Sequence, residues 1–321
     1  MKRRTVVYYS WDAAGEIDTP LEIIENRFPT LFELRRILYP RYESLSDPKE
    51  YEQGIAGFFN YVLRQNFLAF VEQTRASGGS VTETERVSRD GSSMTLTPVL
   101  LESATTLLII SFDSLRTQQK PTPAEVAAVR QFLEDPDHLV FVCPHHDIGA
   151  PAQASAELQQ TRQQAEFQHH GDRAIPPQQR FGGFARQLLS DLGVPAENRY
   201  GLHPAADADG SAAPIDTDAT CDRLGILRGV STFNLHPHLP HLEPLAEAAM
   251  NFDVLARQRI SAAAPPHPFT TDGRTAFNAL LQTRPGVFHG TLLVGDATLW
   301  SSNAGGLDSL RRLWANVLER R

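Results

Sequence analysis

At 321 residues the chain is long enough for one large domain or two ordinary ones. Its hydrophobic content of 41% and charged content of 21% are ordinary for a globular protein, and a formal net charge of -8 argues against nucleic acid or an anionic membrane surface as a partner. No stretch approaches the roughly 18 apolar residues of a membrane span, and two distant cysteines, Cys143 and Cys221, make neither a disulfide framework nor a CxxC metal pair.

The opening MKRRTVVYYSWDAAGE has a basic tip, but its apolar run is too short for a secretory leader, so a reduced, cytoplasmic protein is expected. TVVYYS, Thr5 to Ser10, predicts a strand. An irregular arm follows at about 15–50, with a short helix around LFELRRIL. Its aromatic, leucine and arginine residues suit either a protein partner, a second copy of the chain, or its own core. Phe58, Phe59, Val62, Leu63, Phe67, Phe70 and Val71 recur at helical spacing and predict a helix from about Ile55 to Arg75, stopped by Gly78 and Gly79. SVTETERV alternates like a strand. The unbroken apolar run TTLLIIS, Thr105 to Ser111, predicts a strand buried on both faces.

Thr122-Pro-Ala-Glu125 reads as an N-cap, a proline at the first helical position and a capping-box glutamate. The helix it opens leads into the strand HLVFVC, and this strand–helix–strand spacing is that of a parallel crossover. The chain then turns polar, and an excursion at about 150–220 is expected. Within it FGGFARQLLSDLGVP reads as a helix and AADADGSAAPIDTDA as a surface loop. LGILRGVSTFNLH predicts a strand, LEPLAEAAMNFDVLA a helix, GTLLVGDATLW the last strong strand, and the Leu307–Leu318 pattern a closing helix. The sum is a single α/β domain over 1–321, with a mostly parallel, flavodoxin-like sheet and helices on both faces. Val6 to Ser10, Leu107 to Ser111, Leu139 to Cys143 and Leu292 to Gly295 should be its neighbouring buried strands.

Ligands of such sheets bind beyond the carboxyl ends of the strands. There the sequence places Asp12, then Asp113, then Pro144 with His145, His146 and Asp147, then Asn234 with His236, His238 and His241, and finally Asp296. Imidazoles and carboxylates of this kind serve acid–base chemistry or the binding of a small polar molecule. They also offer ligands to a divalent metal, zinc or iron, although the sequence requires no cofactor. A second polar cluster, His169-His170-Gly-Asp172, falls in the excursion.

Three stretches carry a resemblance to the class I glutamine amidotransferase-like superfamily: SATTLLIISFDSLRTQQKPTPAEVAAVRQFLE, HLVFVCPHHDIG and GVSTFNLHPHLPHLE. The ending TLLVGDATLWSSN is more similar to non-amidotransferase branches, such as the trehalose-utilisation-type and gliding-motility-associated domains. The resemblance implies that Cys143 stands at the nucleophile position and His236 at that of the base. Yet the family's Gly-x-Cys-x-Gly elbow is Phe141-Val142-Cys143-Pro144-His145 here. Pro144 has no N–H to give an oxyanion, a loss worth about 3–4 kcal/mol. The His-x-Glu relay is broken as well, since Pro237 and His238 follow His236. The expectation is a ligand-binding or accessory protein without glutaminase activity. The alternatives are a metal-dependent hydrolase using the histidines, with His145, His146, Asp147 and His236 as its catalytic groups, and a structural subunit acting through the arm.

Overall fold

The computed structural model describes residues 4–16, 64–111, 117, 119–144, 155–158, 161, 183–237 and 239–320. The four expected strands are β1 (Arg4–Asp12), β3 (Thr106–Ser111), β4 (Leu139–Pro144) and β10 (Thr291–Gly295), and they are consecutive neighbours, all parallel. β2 (Ser80–Val87) joins β1 in parallel on the other side. Beyond β10 the sheet changes sense: β9 (Ala276–Thr283), β8 (Phe252–Arg259) and the two-residue β6 (Asp216–Thr217) are each antiparallel to their neighbours. The eight-stranded order is β2-β1-β3-β4-β10-β9-β8-β6. A separate antiparallel ribbon pairs β5 (Ala196–Leu202) with β7 (Leu239–Pro244), and β7 packs against β9.

Because side chains alternate along a strand, the sheet feeds two cores. Val7, Tyr9, Trp11, Leu108, Ile110, Phe141, Cys143 and Leu293 point to one face. There they meet helix α1 (Arg64–Ala76) through Phe67, Phe70 and Val71, and helix α5 (Leu307–Glu319) through Leu310, Leu313, Trp314 and Val317. Val6, Tyr8, Leu107, Ile109, Val140, Val142, Leu292 and Val294 point to the other. They are covered by α2 (Pro98–Leu101), by α3 (Pro123–Phe132) and by α4 (Phe184–Asp191). That double cover is why these strands lack any polar face.

Local signals held where they were strong. Thr122 Oγ1 accepts from Glu125 N at 3.2 Å and Glu125 Oε2 from Thr122 N at 2.8 Å, the reciprocal capping box. The Ile55-to-Arg75 helix is described from Arg64 onward.

Three expectations in the second half are corrected. LGILRGVSTFNLH forms no strand: Gly225 and Gly229 take φ of 63° and 69°, and Asp222 binds the Ile226 and Leu227 amides at 2.9 and 2.8 Å, holding turns there. LEPLAEAAMNFDVLA is not a helix. It ends β7, passes through a 3-10 turn at Ala246–Asn251 and begins β8, because the ladder to β9 claims Phe252 onward. β9 itself, AFNALLQT, went unforeseen, and with β8 it makes the sheet mixed. The polar stretch at 150–220 also contributes to the fold, since α4 lies in the second core and β5 in the ribbon. No helix among the described residues is long and apolar enough to cross a membrane.

Candidate functional site

The chain leaves β1 for β2 through α1 on one face, and β3 for β4 through α3 on the other, so the winding reverses between β1 and β3. The crevice of a doubly wound sheet opens at such a reversal, beyond the carboxyl ends. Asp12 closes β1 at this place. Its Oδ1 accepts from Gly15 N at 2.7 Å and its Oδ2 from Gln119 Nε2 at 3.4 Å. A Cβ at Gly15 would sit 2.7 Å from Asp12 Oδ2 and 2.8 Å from Thr117 Cγ2, so a larger residue there would displace the Asp12 carboxylate or Thr117. Asp12 is half-buried.

Gln119 also accepts from Arg86 Nη1, and Arg86 reaches Glu125 with Nε at 3.2 Å and Nη2 at 2.9 Å. Tyr8 Oη donates to Glu125 at 3.0 Å, and the Leu96 amide lies at 3.4 Å. Burial pushes Glu125 up, but the Arg86 hydrogen bonds and the Thr122 amide outweigh it and hold the carboxylate below its usual range. Burial, then the Glu125 charge, drives Tyr8 far above its ordinary value, so it stays a phenol donor. The capping box disclosed Glu125 as a helix opener. Nothing in the sequence disclosed Arg86 or Tyr8 as its partners, because they come from separate strands.

At the next strand ends, Cys143 is fully buried and pairs in register with Ile110, while Pro144 continues the ladder opposite Ser111. The chain therefore runs extended through the position where an elbow would turn. Tyr200 is the one non-glycine residue with positive φ among those described, so Cys143 carries no elbow strain. Burial pushes the thiol well up, the Trp300 indole opposes this only in part, and the Asp296 charge adds to it. A buried thiol with its pKa raised in this way holds little thiolate, the form that attacks.

Asp296 and Asn234 are both tied into hydrogen bonds at the end of β10. Asp296 Oδ1 accepts from Thr298 N at 2.9 Å and Thr298 Oγ1 at 2.6 Å, capping the 3-10 turn Ala297–Trp300 that follows β10. Asn234 Nδ2 donates to Thr298 Oγ1 at 2.9 Å, its Oδ1 accepts from His236 N at 3.0 Å, and its carbonyl accepts from Gln258 Nε2 at 2.9 Å. Leu235 N bonds Ala304 O at 2.7 Å. These bonds lay the segment carrying His236 across the end of β10, the immediate neighbour of β4. Pro144, the last residue of β4, lies at this same edge of the sheet. His145, His146, Asp147, His238 and Asp113 themselves lie outside the described residues, as do His169, His170, Asp172 and all of the arm beyond Glu16.

His241 sits on β7, with its Nδ1 accepting from Asn278 N at 3.1 Å. Burial first, then Arg274, Arg199 and Arg257, lower its pKa to about 4. With Nδ1 so engaged, the neutral ring carries its proton on Nε2 and offers no lone pair to a metal. His241 is therefore a donor rather than a metal ligand. His267, which the sequence reading passed over, is built alike: Nδ1 accepts from Phe269 N at 3.0 Å, and burial lowers its pKa to about 4. Among the described residues no group of three His, Cys, Asp or Glu is placed to hold a metal ion.

No protein-family model matches the chain, and a comparison with curated proteins finds none similar to it.

Proposed function

We propose that the protein binds a small polar molecule at the carboxyl edge of its sheet, as a cytoplasmic binding or accessory protein on an amidotransferase-like fold without glutaminase activity. The observation that carries this reading is the contrast along one edge. Asp12 presents a half-buried carboxylate at the winding reversal, whereas Cys143 is locked inside the β4 ladder ahead of Pro144. The order β2-β1-β3-β4-β10 supports a flavodoxin-like core, in which this reversal is the ligand crevice.

Native mass spectrometry of the purified protein tests the reading. A co-purifying small molecule is expected on the wild type and lost from Asp12→Ala, and retention by the variant would refute the assignment of the crevice. Ammonia release from glutamine tests the second half: wild type and Cys143→Ala should both stay at background, and a wild-type turnover abolished by the substitution would overturn it. A metal-dependent hydrolase would have to draw on His145, His146, His238 and His236, since His241 is committed to Asn278. Elemental analysis of the purified protein decides that rival, which stoichiometric zinc or iron would favour.

A further inference from the structure

The donors around His241 form a group that the switch-point crevice does not use. His241 is the register partner of Arg199 across the β5–β7 ribbon, so the two side chains share a face. Its ring lies against Phe269 with centroids 4.7 Å apart, and Arg274 stacks on the same phenyl ring with its guanidinium carbon 4.8 Å from the centroid. Asn278, whose amide N–H fixes the His241 tautomer, also binds Leu242 O on β7 through Nδ2 at 3.1 Å. Arg257 is the register partner of Asn278 and so projects from the same face, toward β7.

The acids nearby are already engaged. Glu197 and Glu243 grip Arg199 at 2.5 and 2.9 Å. Asp272 stands 4.0 Å from Arg274, with 78% of its side chain exposed, which makes a weak pair. Arg257 is exposed and makes no ion pair or side-chain hydrogen bond with the described residues. What remains is a half-buried Nε2–H donor, two guanidinium groups and an aromatic shelf, in a chain whose overall charge is -8. The field at His241 is positive, against the overall charge, since the charges that act on it are those of Arg274, Arg199 and Arg257.

We infer that His241, Arg257 and Arg274 form an anion subsite that takes the carboxylate or phosphate group of a small acid, with Phe269 as its floor. The inference goes beyond the ligand-binding reading above: it assigns a second site, which the switch-point crevice does not use, and names its ligand class. His241 contributes as a neutral donor, so binding does not require its protonation. The guanidiniums supply charge-assisted hydrogen bonds of the kind that hold planar carboxylates and phosphates.

Thermal unfolding of the whole protein, titrated with orthophosphate in one arm and citrate in the other, tests this against sodium chloride at matched ionic strength. A saturable rise in melting temperature is expected with at least one anion, and the more effective arm tells phosphate from carboxylate. Arg257→Gln and Arg274→Gln should each weaken the apparent affinity about tenfold, the cost of one charge-assisted contact of roughly 1.4 kcal/mol. Arg257 is exposed, so its variant keeps the fold and isolates the binding effect. No saturable shift with either anion, or a shift that survives both substitutions, overturns the subsite. If anions fail while Asp12→Ala still loses a co-purifying molecule, only this inference falls. If anions bind but no molecule occupies the switch-point crevice, the ligand reading of that crevice falls instead.

Discussion

At the residue scale, the buried ion pair of Arg86 and Glu125 shows what a charged group needs in order to live inside a core. Glu125 is fully buried, yet Arg86, Tyr8 and the Thr122 amide bond its two oxygens, with the Leu96 amide close by. Removing one partner leaves the other charge without compensation, a loss of about 3–5 kcal/mol. Glu125→Ala should therefore lower unfolding free energy by about that amount in urea titrations. A loss below about 1 kcal/mol would mean that water reaches the pair. The two thiols make a second residue-scale contrast. Cys143 is fully buried, whereas Cys221 is only partly so. A thiol reagent should titrate one group in the native protein and two after denaturation, and fast modification of both would contradict the buried β4 terminus.

At the element scale, two histidines hold the ribbon and the neighbouring turn in place. His267, only 1% exposed, caps the Pro268–Thr270 turn through its Nδ1, and His241 holds the Asn278 amide in the same way. Both have pKa values near 4 in the folded protein against an ordinary 6.5. As pH falls below 6.5 the unfolded chain takes up these protons first, so stability is lost between about pH 6.5 and 4, and below that window this source adds nothing further. The loss should be on the order of 1–3 kcal/mol per histidine. His267→Asn, which keeps a capping side chain without the titration, should flatten the pH dependence of urea midpoints between pH 7 and 4.5. An unchanged slope would remove His267 from the account. Gly306, which opens α5, is a second joint between elements. Its φ is 66°, and a Cβ there would stand 2.3 Å from Phe233 O. Gly306→Ala should cost about 1–3 kcal/mol, measured in the same titrations, because neither the backbone nor the Phe233 carbonyl can yield cheaply.

At the scale of the whole molecule, one sheet with a core on each face organises everything else. Its centre is β1, β3, β4 and β10, and its outer strands are β2 and the two-residue β6. Amide hydrogen exchange should follow that order. Val7, Ile109, Val142 and Leu293 should exchange only through global unfolding, and Asp216 and Thr217 far faster. Early exchange at β4 or β10 would mean that the two cores unfold separately.

The central strands were legible in the amino-acid order because burial on both faces demands unbroken apolar runs, as in TLLIIS and LVFVC. The Thr122–Glu125 cap and the closing helix were equally legible, since a cap is a four-residue pattern and an amphipathic helix repeats every turn. The antiparallel half was not. β8 shifts register around Ala256 and so alternates irregularly, and β9, though largely buried, carries Asn278, Gln282 and Thr283 among its apolar residues, so the ladder itself selects their conformation. The same distinction divides the site. That Asp12, Cys143 and Asp296 stand at strand ends was written in the sequence; Asn234 and His241 were expected there too, but the first lies in a segment without a strand and the second within β7. Which of them are capped, buried or committed to a backbone amide depends on hydrogen bonds between residues as far apart as Asn234 and Thr298, or His241 and Asn278. Local order could name the strands and their terminal residues, but only tertiary packing fixes the long-range hydrogen bonds and burial that set each polar group's role.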